Sequence, residues 1–102
     1  MKFKQGVSIF GLRDEMFFAI EQIDKILFSS GYEATVTSAV DGTHSTNSLH
    51  YDGRAIDIRI RDLPASYSAE AVTRDIQERL SDDYDVVLED NHIHIEWQPK
   101  KG

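Results

Sequence analysis

The chain has no cysteine, two prolines and one tryptophan, and its 11 basic residues are outnumbered by 18 acidic ones. Each shortage excludes something. Without cysteine there are no disulfides, no thiolate metal ligands and no cysteine nucleophile. A formal net charge of -7 argues against a protein that tracks nucleic-acid phosphates or lies on an anionic membrane surface. No run approaches the roughly 20 apolar residues that span a bilayer. The start, Met1 to Val7, carries basic residues but no apolar stretch of signal-peptide length. We therefore expect no nucleic-acid partner, no membrane partner and a cytoplasmic location. What is there is ordinary: 102 residues, 40% hydrophobic and 28% charged, a globular composition with enough chain for one core. A single domain over residues 1–102, acting as a monomer, is the expectation.

Hydrophobic periodicity places the elements. Residues 1 to 11 read as an extended lead-in in which Val7 and Ile9 alternate before Gly11. From Arg13 to Phe28, Met16, Ala19, Ile20, Ile23 and Leu27 recur at three- and four-residue steps, the signature of a helix with one apolar stripe. Phe17, Ile26 and Phe28 would widen that stripe, and Ser29-Ser30-Gly31 would end the helix. Tyr32 to Ala39 and Ala55 to Arg61 read as strands; in the second, Ile56, Ile58 and Ile60 share one face and Asp57, Arg59 and Arg61 the other. Ser68 is placed to cap a second helix running to Leu80. Tyr84 to Glu89 and His92 to Trp97 read as a hairpin turning on Asp90-Asn91, which sets Glu89 opposite His92 and Val87 opposite His94. The order β-α-β-β-α-β-β predicts an α+β domain: a small, mainly antiparallel sheet with helices on its apolar face and polar residues on the other.

That polar face holds the chemistry. His50, Asp57 and His94 are a usual donor set for Zn2+, two imidazoles and one carboxylate, and three protein ligands leave a fourth position for water. A site of this kind also wants a general base within hydrogen-bond reach. Glu89 is the first candidate, because a carboxylate takes a proton from water and passes it to a leaving amine. His92, facing Glu89 across the hairpin, would orient the water or stabilise an oxyanion. His44 would lean over the metal from the loop. Arg54, Arg59 and Arg61 are candidates for holding a substrate carboxylate, although charges on a strand face are commonly just solvated.

The segment His44-Ser45-Thr46-Asn47-Ser48-Leu49-His50-Tyr51-Asp52-Gly53-Arg54-Ala55-Ile56-Asp57 resembles the metal-binding segment of the hedgehog signalling domain. It also matches the Ser-x-His-x-x-Gly-x-Ala-x-Asp motif of D-Ala-D-Ala carboxypeptidases through Ser48, His50, Gly53, Ala55 and Asp57. His92-Ile93-His94 looks like the His-x-His of the same superfamily, whose second His falls on His94. The resemblance implies a hedgehog/DD-peptidase-like fold and a zinc-dependent metallopeptidase that hydrolyses peptidoglycan peptide bonds. The enzyme would be a carboxypeptidase or an endolysin-like peptidase, released to the cell wall during phage lysis. It places the family's basic carboxylate on Asn91, so the base is sought in Glu89, with Asp90 and His92 as alternatives. The alternative reading is a catalytically inactive, zinc-binding hedgehog-like protein, serving in binding or as part of a phage particle.

Overall fold

The computed structural model of the protein describes residues 1–40 and 52–99. Among these, β1 (Lys2–Phe3), α1 (Asp14–Phe28), β2 (Thr35–Ser38), β3 (Ala55–Arg59), α2 (Ala69–Arg79), β4 (Tyr84–Leu88) and β5 (His92–Trp97) follow one another along the chain. The strands form one sheet in the order β1-β2-β3-β5-β4, with β1 parallel to β2 and the other neighbours antiparallel. The result is a small α+β domain with a mixed five-stranded sheet and two helices. No helix among the described residues is long and apolar enough to cross a membrane.

Both helices sit on the face presented by Val36, Ile56, Ile58, Ile93 and Ile95, all but closed to solvent. α1 turns Met16, Ala19, Ile20, Ile23 and Leu27 into this core, as its 3.6-residue period requires. Phe17 and Phe28 do not join them: each lies outside the buried arc and is exposed, while Ile26 is half-buried. At the opposite edge of the buried arc, Gln22 is buried and accepts a 2.8 Å hydrogen bond from Arg79 Nε of α2. Gly31, at φ +75, stops α1. Its N–H donates to Phe28 O and that of Tyr32 to Leu27 O, the paired bonds of a Schellman end. Tyr32 therefore belongs to the helix stop, and β2 begins only at Thr35.

α2 opens where expected: the Ser68 hydroxyl accepts from Ala71 N at 3.1 Å, and Val72 and Ile76 are buried. The lead-in differs from expectation. Pairing stops at Phe3, and a turn closed by Val7 N donating to Lys4 O takes the chain off the sheet, so Val7 and Ile9 are not in a strand. β3 ends at Arg59 rather than Arg61, because Leu63 N donates to Ile60 O and turns the chain ahead of Pro64.

Candidate metal centre

Alternation in β3 and β5 brings every second side chain to the face opposite the helices. Three rungs result. In the middle one Asp57 is paired with His94 and His94 with Val87. On one side lie Arg59, His92 and Glu89, the last tied to its neighbour by Glu89 N donating to His92 O at 2.8 Å. On the other side lie Ala55, Glu96 and Asp85. Rungs on one face are two residues apart, roughly 6.6 Å.

Asp57 and His94, 37 residues apart in the chain, meet directly: His94 Nδ1 stands 2.9 Å from Asp57 Oδ1. The other ring nitrogen, Nε2, is 2.8 Å from Glu96 Oε1. His92 Nε2 approaches the same Asp57 oxygen at 3.6 Å, while its Nδ1 is held by Asn91 Oδ1 at 2.6 Å. Flanked by carboxylates on both sides, the His94 ring donates twice and favours its charged form. Its pKa is raised above 6.5, chiefly by the hydrogen bond to Asp57; burial opposes the rise and Glu96 adds to it. The Asp57 side chain is only 14% exposed, so these charges interact across a partly dry site.

Zn2+ suits these donors. Two ligands bonded at about 2.0–2.2 Å to a tetrahedral ion stand roughly 3.4 Å apart. The 2.9 Å pair of Asp57 and His94 would therefore open by only about half an ångström on losing the shared proton. With Nδ1 turned to the ion, Nε2–H would donate to Glu96, the outer carboxylate that commonly fixes the tautomer of a ligating His. The third expected donor, His50, lies outside the described residues, as does His44. Among the described residues no group of three or more His, Asp or Glu side chains is arranged to hold an ion.

Of the other expected groups, His92 is beside Asp57, and Glu89 occupies the end rung, exposed and diagonal to His94. Glu96, which the sequence alone leaves without a role, is the second carboxylate, after Asp57, that touches His94. Its position two residues beyond His94 on one strand face was the available signal.

Two features position the Asp57 end. The register between β2 and β3 shifts so that Val36 pairs with Ile58 but Ser38 with Asp57, and the Thr37 hydroxyl donates to Asp57 O at 3.4 Å. Such irregularities re-aim side chains beside sites. At the start of β3, Gly53 has φ +72, and a Cβ there would lie 2.1 Å from Gly11 O. Only glycine allows that approach, and Arg13 locks it by donating from its backbone N to Gly53 O and from Nε to Asp52 O. Arg54 pairs with Asp52 at 3.1 Å, and its Nε is buried without a partner among the described residues.

Comparison with protein-family models, with curated proteins and with solved structures finds no match to this chain.

Beside His92 the face sinks into a pocket of about 430 Å³ lined by Lys4, Thr37, Arg59, Arg61, Asn91 and His92.

Proposed function

We propose that the protein is a zinc-dependent metallopeptidase acting on peptidoglycan peptides, of the hedgehog/DD-peptidase type that the Ser48-to-Asp57 and His92-Ile93-His94 motifs resemble. The observation that carries the reading is the contact of Asp57 Oδ1 with His94 Nδ1 at 2.9 Å, backed on the far side of the ring by Glu96 at 2.8 Å. A zinc centre on this face would use Asp57 and His94 as ligands and Glu96 as the carboxylate behind the ring.

Asp57 and His94, with His50 from the preceding segment, would hold the ion. Bound zinc supplies Lewis acidity towards the scissile carbonyl and makes its water ionise near neutral pH. The chain's own residues do the rest. Glu96 keeps the His94 ring in one orientation, so the nitrogen facing Asp57 is the one offered as ligand. His92, 3.6 Å from Asp57, would donate from Nε2 to an oxygen on which charge develops only with both ring nitrogens protonated, because Nδ1 already donates to Asn91 Oδ1 at 2.6 Å. Glu89, on the rung of His92, is the proposed proton carrier from water to the leaving amine, and it must swing inward from the hairpin end to act.

Digestion of purified peptidoglycan tests the proposal. Zinc-loaded protein is expected to release peptide fragments, and Glu89→Gln to keep its zinc while losing about 10²–10⁴-fold in rate. Zinc uptake without cleavage by the unmodified chain would favour the binding or particle-structural alternative. Full activity in Glu89→Gln would move the base to His92 or Asp90.

A further inference from the structure

We propose that the cleft between α1 and α2, behind the sheet as seen from Asp57 and His94, is a saccharide site that takes a neutral glycan strand. The saccharide chemistry stands on the cleft itself; naming the strand as the N-acetylhexosamine chain of peptidoglycan rests on the peptidase reading. Such a site holds the enzyme on its polymer while the opposite face works on the peptides.

Position is the first ground. The cleft has a volume of about 780 Å³, within the roughly 300–1,000 Å³ of small-molecule sites. One wall is the last turn of α1 with Ser29 and Ser30 beyond it. The other is α2, where Asp75, Glu78 and Arg79 share a face at three- and four-residue steps. Both helices lie on the apolar side of the sheet, so a ligand here leaves the polar rungs of β3 and β5 open.

The character of the lining is the second ground. Seven of the nine residues around the cleft are polar, and the other two are Ile26 and Tyr67. That wall suits neither a lipid nor any other apolar ligand. Lys25 and Arg79 are answered by Asp75 and Glu78, so the lining carries no net charge. A phosphate or carboxylate ligand calls for a surplus of cations instead. A neutral ligand rich in hydroxyls, each both donor and acceptor, fits these walls.

The third ground is that the polar groups are already held in place. The Tyr67 N–H donates to Pro64 O at 3.0 Å and its hydroxyl donates to Asp75 Oδ2, while the half-buried ring packs against the core. Asp75 Oδ1 has a long 3.8 Å contact with the exposed Arg74, which leaves it able to accept from a ligand. Arg79 Nε donates to the buried Gln22 at 2.8 Å, which fixes the plane of a guanidinium whose Nη groups have no partner among the described residues. A fixed fork, fixed carboxylate oxygens and a fixed aromatic ring match the neighbouring hydroxyls and the C–H face of a pyranose at little ordering cost.

Titration of the full chain with acetylated chitotriose and with maltotriose tests the site, read by calorimetry and by amide NMR shifts, with peptidoglycan digestion run alongside. Chitotriose should bind and shift the amides of residues 25–30, 66–67 and 75–79. Tyr67→Ala should weaken binding about tenfold or more, the loss of a ring contact and a hydrogen bond together. Glu78→Ala, at an exposed position, should weaken it about threefold, and Glu70→Gln, in the first turn of α2, should leave it unchanged. No saturable binding, binding that both cleft variants retain in full, or shifts confined to β3 and β5 would overturn the site. Maltotriose binding as tightly as chitotriose would overturn the assignment to an N-acetylhexosamine strand. A chain that binds chitotriose through Tyr67 yet releases no peptide would uphold the cleft and sink the peptidase reading alone.

Discussion

Glu96 holds one ring nitrogen of His94 while Asp57 holds the other, and this sandwich decides what the imidazole can do. With an ion bound, Glu96 would carry the ring's remaining N–H. Glu96→Gln keeps the shape but weakens the acceptor, and we expect zinc affinity to fall about 10- to 100-fold in competition with a chelating dye. Unchanged affinity would remove Glu96 from the site. Without an ion the same contacts stabilise the charged ring, and the sign follows from the direction of the shift. The folded pKa of His94 lies above 6.5, so its contribution is fully present below pH 6.5 and fades as pH rises through the folded value. Chelator-treated protein should therefore lose more stability as pH rises from 6.5 than His94→Gln does, measured by urea unfolding at each pH. Parallel curves would show that His94 is not coupled to its neighbours.

Elements hold these residues at the right spacing, and two contacts between elements are open to direct tests. The Gly53 turn that starts β3 is pressed on the backbone of Gly11 ahead of α1. Gly53→Ala puts a Cβ 2.1 Å from a carbonyl oxygen in a conformation that already costs about 1–2 kcal/mol. We expect a loss of at least about 2 kcal/mol in urea unfolding, together with weaker zinc binding, since Asp57 lies four residues on. A variant as stable as the parent would mean that the turn does not pack as described. At the far edge of the sheet, Gln77 of α2 donates from Nε2 to Tyr84 O at 2.9 Å and accepts from Val86 N at 3.1 Å. One side-chain amide thus covers two backbone groups of edge strand β4 that would otherwise invite another chain. Gln77→Ala should cost about 1–3 kcal/mol and promote concentration-dependent association in sedimentation velocity; a monomeric variant of parental stability would deny Gln77 that role.

At the scale of the whole molecule, what could be read beforehand was local. The Asp90-Asn91 turn set the hairpin register, so Val87 was correctly placed opposite His94 and Glu89 opposite His92. The Ser68 cap, the Gly31 stop and the alternation in β3 were legible for the same reason: each depends on a handful of consecutive residues. What escaped depends on pairing across the fold. Lys4 reaches the pocket only through the parallel pairing of β1 with β2. The register shift at Ser38 shows only once β2 meets β3. Phe17 and Phe28 look like core by composition, but the 3.6-residue period sets both outside the arc that Met16, Ile20, Ile23 and Leu27 turn to the sheet, and both rings are exposed. The meeting of Asp57 with His94 was legible as a pattern of residue types, because both strands alternate; the part Glu96 plays showed only as its place two residues beyond His94 on one face, which a solvated charge shares.

Zinc stoichiometry by equilibrium dialysis, on the parent chain and on His94→Ala, bears most directly on whether this polar face is a metal centre. We expect one tightly held zinc per parent chain and none in the variant, with both still folded by circular dichroism. A folded parent chain that retains no zinc, or a His94→Ala chain that retains it undiminished, would contradict the metal centre and the peptidase built on it.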